Sequence, residues 1–495
     1  MQLRSRIFQW AHSDRVAAFA GLPGPQPKFP LGNLGTIQRQ GPVDVAADVA
    51  QNHGPLAVLW IKKQPLVLIS DERLARAVLA QGRDTFVTAL PDALLGLPLS
   101  GDARLAEEGF GHGDIYRHGP GPISLLQPSW ITGWLAECTP MVQAHLAERV
   151  EAFARETQAG PQPLFAALLR VVFQTLTRLT LGQELSHQAF DDMLELCLGP
   201  QRRTLGFEPL EQRENLYGTP RERLLEAIGK HISMAVRYPD ENRRDLIGYL
   251  LEGRYALAES EWAPAFLRIL EGACLPVAAQ LTQSFALLAG HPDALEALEH
   301  EIDAADAEPS AYTLRNLPLL DGVYEESQRL APAMPFIGRR VKEHRQVDLD
   351  GKTLPGGTAV LVNLAHVQRH TTAFADPTRF QPERWNVARE TLEDGPLGLG
   401  AARRTSPVES LGEWLSKLVL FTWLRGHSVL TSGRENGGRD TFVGALHLPA
   451  SLRATLYSRR SAAASAGLRQ ANAEHQKLLT LLPGAPPEPP RKAAP

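Results

Sequence analysis

Cysteine is scarce in this 495-residue chain, which contains only Cys138, Cys197 and Cys274. These residues lie far apart and form no CxxC pair, so the sequence indicates neither a metal site of zinc-finger type nor a disulfide framework. Low cysteine usage without pairing is typical of a reducing compartment. We therefore expect a cytoplasmic protein.

Long hydrophobic runs and a strong charge of either sign are also missing. No segment reaches about 18 uninterrupted apolar residues, so no transmembrane segment is predicted. Residues 1–20 are basic but lack the apolar stretch of a signal peptide, and we interpret them as a frayed terminal helix. At most, Ile7, Phe8 and Trp10 are able to touch a membrane surface. The net charge of −4 offers no basic field for nucleic acid.

Hydrophobic periodicity predicts a mainly α fold with a small β-rich portion. Residues 130–330 carry apolar side chains at helical spacing. Strand-like runs lie at 56–61, 65–70 and 357–363. A short helix capped by Asp71 follows the second run.

The most informative motifs lie between residues 320 and 385. Glu326 and Arg329 are three residues apart and share one face of a predicted helix. Such a pair alone is usually a weak surface ion pair. Here it is followed in order by RLAPAMPFIGRRV, by DLDGKTLPGGTAVLVN and by FADPTRFQPERW, which contains Arg384.

This succession strongly resembles the cytochrome P450 superfamily of haem-thiolate monooxygenases. The resemblance extends to the lead PGPQPKFPLGNLG, to SLLQPSW at 124–130 and to LLAGHPDALEALEHEI at 287–302. It implies the cytochrome P450 fold as a single domain over 21–460. A flexible Ala- and Pro-rich tail is expected at 461–495.

The resemblance assigns Glu326, Arg329 and Arg384 to a structural triad beneath the haem pocket. Arginine suits this place because its planar guanidinium binds a carboxylate with two parallel hydrogen bonds. Arg339 or Arg340 matches the family's propionate-binding arginine, and this role applies only if haem is retained.

The stretch that should provide the iron ligand departs from the family pattern. In the family a cysteine thiolate binds the haem iron. Residues 396–421, PLGLGAARRTSPVESLGEWLSKLVLF, contain no cysteine. Counting forward from the glycines places the ligand at Arg404, whereas counting backward from Leu411 places it at Ser406. The loop is therefore longer than the pattern, and we interpret Ser406 as a turn or helix-capping residue unless haem is retained.

Two more haem-related sites have changed. Cys274 and Leu275 occupy the places of the acid and the alcohol that deliver protons to oxygen, and Pro276 is expected to disturb that helix. Glu271 and Thr282 are possible shifted substitutes, although we interpret both as solvated or packed residues.

Glycine and proline at 119–122 replace a helix that holds the haem propionates in the family. His118 lies beside this run and remains a candidate propionate contact only if haem is retained.

Three altered haem sites beside an intact triad favour a pseudoenzyme that is non-catalytic and carries no haem or other metal. In the family, some bacterial members without the cysteine activate glycosyltransferases. We therefore expect a protein partner, such as an enzyme of a biosynthetic pathway, or an apolar small molecule as ligand.

The alternative is a haem-dependent monooxygenase in which Ser406 or a histidine, instead of a cysteine, binds the haem iron. A third reading is a scaffold that uses 461–495 as a tether.

Overall fold

The computed structural model describes residues 2–81, 85–88, 128–199, 218–253, 257–306, 308–370, 374–386, 409–432, 441–443, 446–449 and 451–459. Its helices are α1 (Gln2–Ala11), α2 (Ser13–Ala18), α3 (Leu34–Gln40), α4 (Pro42–His53), α5 (Glu72–Ala80), α6 (Pro128–Thr157), α7 (Leu164–Leu181), α8 (His187–Leu198), α9 (Pro220–Arg237), α10 (Leu246–Leu251), α11 (Glu259–Gly290), α12 (Pro292–Ala304), α13 (Ala311–Arg315), α14 (Pro318–Leu330), α15 (Leu364–Val367) and α16 (Glu409–Gly426).

The strands are short: β1 (Leu56–Ile61), β2 (Gln64–Ile69), β3 (Phe86–Thr88), β4 (Gln162–Pro163), β5 (Phe336–Val341), β6 (Val347–Leu349), β7 (Lys352–Leu354), β8 (Ala359–Asn363), β9 (His427–Ser432), β10 (Thr441–Val443), β11 (Leu446–Leu448) and β12 (Arg453–Ser458). The predicted fold class, mainly α with a small β-rich portion, is confirmed. The predicted tail at 461–495 lies outside the described residues.

The chain divides into two compact units, and the first contains most of the strands. The described residues of this unit lie within Met1–Ala93 and Pro335–Arg379. Its main sheet has the order β1-β2-β8-β5-β3, with β2 and β8 parallel and the other neighbours antiparallel. Asp71 caps α5 as predicted, because its Oδ1 accepts a hydrogen bond of 2.9 Å from the Leu74 amide.

The N-terminal helices are packed, so the expectation of a frayed terminal helix is wrong. Phe8 is completely buried, and its ring meets Trp60 of β1 edge-on at 5.6 Å. An aromatic pair of this kind adds to the free energy gained from burying the ring. Phe8 is therefore unable to touch a membrane, whereas Trp10 is 83% exposed.

The second unit, Leu94–Met334 and Phe380–Gln476, contains the long helices. Helix α11 packs against α7, α9 and α16, and is apolar around most of its circumference, as expected for a helix surrounded by others. Trp423 of α16 lies between Phe153 of α6 and Phe285 of α11, with ring centroids 5.3 Å and 5.1 Å away. A three-stranded sheet, β4-β12-β9, and the β10-β11 hairpin complete the unit.

Within the described residues, α7 and α11 are long and apolar enough to cross a membrane by length and composition alone. In each, the most apolar 18-residue window is mostly buried by other parts of the protein, 72% in α7 and 89% in α11. Core helices of packed bundles have the same composition, so these helices are weak evidence for a membrane span.

Candidate functional site

Glu326 is the centre of a buried hydrogen-bond network at the end of α14. Arg329, one turn further along the helix, donates to both carboxylate oxygens of Glu326 at 2.8 Å. Arg384 lies in a 3₁₀ turn, Pro382–Arg384, and its Nε donates to Glu326 Oε1 at 3.1 Å. The structure thus brings together the three residues of the predicted triad.

Two further donors complete this network, and sequence reasoning did not identify either. The Gln381 amide donates to Glu326 Oε1 at 3.0 Å, and the Trp385 indole donates to Oε2 at 3.0 Å. These donors satisfy a carboxylate that is completely buried. The network therefore holds the segment 381–385 against α14.

Gly322 allows this segment to approach α14 closely. A Cβ atom at this position would lie 2.3 Å from the Pro382 carbonyl oxygen, a distance that side chains do not tolerate. Glycine inside a helix costs about 1 kcal/mol relative to alanine. Its presence in α14 is a sequence signal for close backbone packing that our sequence analysis passed over.

Helix α16, which directly follows the stretch expected to hold the iron ligand, is anchored to α14 by a buried ion pair. The Lys417 ammonium donates to the Asp321 carboxylate, and a second hydrogen bond of 2.5 Å reaches Glu413 one turn away. The ammonium also lies 5.4 Å from the centroid of the Tyr324 ring. Lys417 stands among apolar residues of α16, and a charged residue in such a run is a sequence signal for a buried partner of opposite charge.

The start of α16 packs closely against α11. A Cβ atom at Gly412 would lie 3.2 Å from Cγ2 of Val277, so only a small residue fits without movement. Leu411 and Gly412 belong to the motif that follows the iron ligand in the family. Ser406 itself lies outside the described residues, as does His118.

At the predicted proton-delivery site, α11 runs from Glu259 to Gly290 as one helix, so Pro276 does not end it. Proline has no amide hydrogen, and the Gly272 carbonyl therefore lacks its usual intrahelical donor. Packing of α7, α9 and α16 around this buried helix offsets that loss. Cys274 and Leu275 are both buried in the same turn.

Glu271 and Thr282 were the possible substitutes for the proton-delivering acid and alcohol, and both side chains are engaged in hydrogen bonds within the protein. Glu271 accepts a hydrogen bond of 3.1 Å from Arg221 of α9. Burial raises the pKa of the Glu271 carboxyl, and the nearby Arg221 and Arg268 oppose that rise. Thr282 donates its hydroxyl hydrogen to the Ala278 carbonyl of the same helix at 2.7 Å.

The chemistry of the three thiols does not fit a haem-thiolate ligand. All three are buried, in α6, α8 and α11. Burial raises the pKa of Cys138 to about 12, and it also raises the pKa values of Cys197 and Cys274. The thiolate is the form that binds iron. Burial therefore favours the protonated thiol over the thiolate at all three positions, which does not suit a ligand of haem iron.

Arg339 and Arg340 lie on β5, where neighbouring side chains point to opposite faces of the sheet. Arg339 is the buried member, and its Nη1 donates to the Gly338 carbonyl at 2.9 Å. Arg340 is partly exposed. Of the two, Arg339 is the more buried.

Within the described residues, no group of three or more His, Cys, Asp or Glu side chains has the arrangement of a metal site. Histidine is the other common haem ligand in proteins. The sequence has none between His370 and His427, so it provides no such ligand near the 396–421 stretch.

A family model described as Cytochrome P450 matches residues 136–449. Pentalenene oxygenase of Streptomyces avermitilis is 30% identical over 231 residues, which is 45% of this chain and 51% of that protein. Cyclooctat-9-en-7-ol 5-monooxygenase of Streptomyces melanosporofaciens is 27% identical over 313 residues, 58% of this chain and 66% of that protein.

A relative at lower identity covers more of the chain. Cytochrome P450 monooxygenase aneD of Aspergillus aculeatus is 24% identical over 506 aligned positions, 92% of each chain. By contrast, the chain spans about half the length of the pentalenene oxygenase that it matches. The family model covers well over half of the 495 residues. This chain therefore belongs to the cytochrome P450 family.

Proposed function

We propose that this protein is a non-catalytic member of the family whose haem-thiolate site has been lost. It acts through contact with a protein partner, such as an enzyme of a biosynthetic pathway, or by binding an apolar small molecule. The observation that carries the proposal is the position of the cysteines. All three precede residue 275 and lie buried in helices, and none occurs in the stretch that should hold the iron.

The changes in α11 support the same proposal. A monooxygenase needs a group that delivers protons to bound oxygen. The aligned turn offers the protonated thiol of Cys274, the apolar Leu275 and Pro276. Glu271 and Thr282 are engaged with Arg221 and with the helix backbone.

The retained frame explains how such a protein keeps its shape. The network around Glu326 and the ion pair between Lys417 and Asp321 lie within the second unit, and the contacts that define them join described residues of α14, α16 and the 381–385 segment. These contacts hold α14 and α16 against each other. We place the protein in the cytoplasm, since its few cysteines are free thiols in the structure.

The names of the relatives support a second candidate, a haem-dependent monooxygenase with a non-cysteine iron ligand. Three relatives carry the words oxygenase or monooxygenase in their names. In this case Ser406 or a histidine would hold the iron. Arg339, Arg340 and His118 would be the candidates for the propionates.

Absorption spectroscopy separates the two candidates. The full-length chain is purified from haem-replete cells, and its spectrum is recorded before and after addition of dithionite and carbon monoxide. We expect no stoichiometric Soret band. A stoichiometric band that persists in the variants C138S, C197S and C274S would establish the second candidate. A thiolate-type carbon monoxide band lost in one of these variants would overturn both.

Affinity capture of partners tests the remaining part of the proposal. The full-length chain and a variant without residues 461–495 are used as baits in an extract of the source cells. Capture of a biosynthetic enzyme by both baits, followed by a change in that enzyme's rate on addition of the pure chain, is the expected result. Capture by the full-length bait alone would instead indicate the tether role of the tail.

A further inference from the structure

A cleft of about 610 Å³ lies between α6, α7 and α8 in the second unit. None of its lining residues belongs to the Glu326 network or to the altered turn of α11. Small-molecule sites in proteins generally have volumes of about 300–1,000 Å³. The cleft is therefore large enough for a ligand of its own.

Small side chains create this cleft. Each of the three helices turns one stripe of residues, spaced three or four apart, toward the same space. The stripes include Ala152 of α6 and Ala166 and Ala167 of α7. Phe153 and Phe190 provide aromatic walls, so the centre of the cleft is apolar.

One end of the cleft is positively charged. Arg149, Arg170 and Gln174 line it near the turn between α7 and α8. Gln174 donates to the Glu184 carboxylate at 2.8 Å, and an Arg149 Nη2 lies 3.8 Å from the same group. The exposed Arg170 guanidinium lies 4.9 Å from the centroid of the Phe190 ring, and its Nη1 atom is 3.3 Å from Nδ1 of His187.

Arg149 at this end of the cleft is only partly neutralised. Its Nε atom is buried and has no hydrogen-bond partner among the described residues. Glu184 is a half-buried carboxylate 3.8 Å from the Arg149 Nη2 atom, while Glu148, also 3.8 Å away, is mostly exposed and screened by water.

Two acidic residues, Glu156 and Asp191, also line the cleft. Glu156 lies near the end of α6, where its backbone carbonyl accepts a hydrogen bond of 3.3 Å from Gln162. Asp191 follows His187 by four residues, about one helical turn along α8. An anionic group therefore finds its best position beside Arg149, with the rest of the molecule extending over the alanines.

We propose that this cleft binds an amphipathic small molecule with one anionic head, held by Arg149 and Arg170, and an apolar body packed against Ala166 and Phe190. The inference is independent of the proposed function, since it holds whether or not the protein binds haem. None of the residues that line the cleft is among those that the resemblance to the family assigns to haem binding.

Calorimetric titration of the full-length chain tests the proposal with three probes that share a ten-carbon tail: decanoate, decyl phosphate and decan-1-ol. The variant R149Q removes the cation, and A166W fills the cleft. The matched controls are R155Q and A147W, at exposed positions of α6 outside the cleft. Thermal unfolding of each variant verifies that it is folded.

We expect one molecule of an anionic probe to bind per chain, at least about tenfold more tightly than decan-1-ol, because hydrogen bonds to a charged group contribute more than neutral ones. R149Q should remove the difference in affinity between the anionic probe and decan-1-ol. A166W should abolish binding of all three probes. The tighter of decanoate and decyl phosphate identifies the head as carboxylate or phosphate. Equal affinity of the acid and the alcohol, or unchanged binding to A166W, would overturn the proposal.

Discussion

Lys417 of α16 donates a hydrogen bond to Asp321 of α14, and the two residues are 2% and 3% exposed. Removal of one member of a buried ion pair leaves an unpaired charge and costs about 3–5 kcal/mol. We therefore expect K417A to lower the free energy of unfolding by about this amount in urea denaturation.

The double variant K417M/D321L should recover much of that loss, because apolar residues of similar size often replace a buried pair without cost. The exposed pair formed by Lys230 and Glu226 on α9 is the matched control. K230A is expected to leave the denaturation midpoint unchanged. Equal effects of K417A and K230A would show that the buried pair does not anchor α16.

Two glycines inside helices give predictions of opposite sign. G322A should destabilise the protein by about 1–3 kcal/mol, since its methyl group would collide with the Pro382 carbonyl. G229A should stabilise it by up to about 1 kcal/mol, because the same methyl group would meet no atom within 4 Å in α9. The midpoints of urea denaturation, compared with that of the wild-type protein, show whether each variant is destabilised or stabilised. A stabilised G322A would mean that α14 and the 381–385 segment are further apart.

Local sequence spacing predicted one part of the site and missed another for a physical reason. Glu326 and Arg329 share a helix face at fixed spacing, and the motif around Arg384 carries its own signature. The partners Asp321 and Lys417 are 96 residues apart, and only tertiary packing brings them together. Lysine side chains usually lie at the protein surface, so composition alone does not predict a buried one. Lys417 is buried because the Asp321 carboxylate pairs with it.

The same physical reason applies at two further places in the chain. The terminal helix was interpreted from composition alone, but Phe8 has a partner in Trp60, which is 52 residues further along the chain. Pro276 has an unfavourable helix propensity, yet α11 continues through this position, where neighbouring helices enclose it. In both places packing outweighs a local preference of a few kcal/mol.

The buried thiols should be unreactive in the folded protein. Cys138 donates to the Arg244 carbonyl at 2.9 Å, and Cys197 lies 3.6 Å from the Met193 sulfur. Because only the thiolate attacks a disulfide reagent, the raised pKa values predict almost no reaction with Ellman's reagent at pH 8. All three thiols should react in guanidinium chloride. A147C, at an exposed site, is the positive control, and a fast-reacting native thiol would contradict the burial on which the proposed function rests.

His145 should make the stability of the protein depend on pH. Burial, with smaller contributions from Arg149 and Arg178, lowers the pKa of His145 from 6.5 to about 4. Between these two pH values the unfolded chain binds a proton that the folded protein does not bind. The free energy of unfolding therefore falls as the pH decreases from about 6.5 to 4, and His145 makes no such contribution above this range.

Substitution of His145 isolates this contribution. Between pH 7.5 and pH 5 the free energy of unfolding should fall by about 1–2 kcal/mol less in H145Q than in the wild-type protein. Urea denaturation at each pH measures this difference. H300Q, at a histidine with a side chain 76% exposed, is the matched control and should follow the wild type. A parallel loss of stability in H145Q and the wild type would show that burial does not lower the pKa of His145. A larger loss in H145Q would show that His145 is charged in the folded protein and pairs with Glu184, which lies 3.4 Å from its Nδ1.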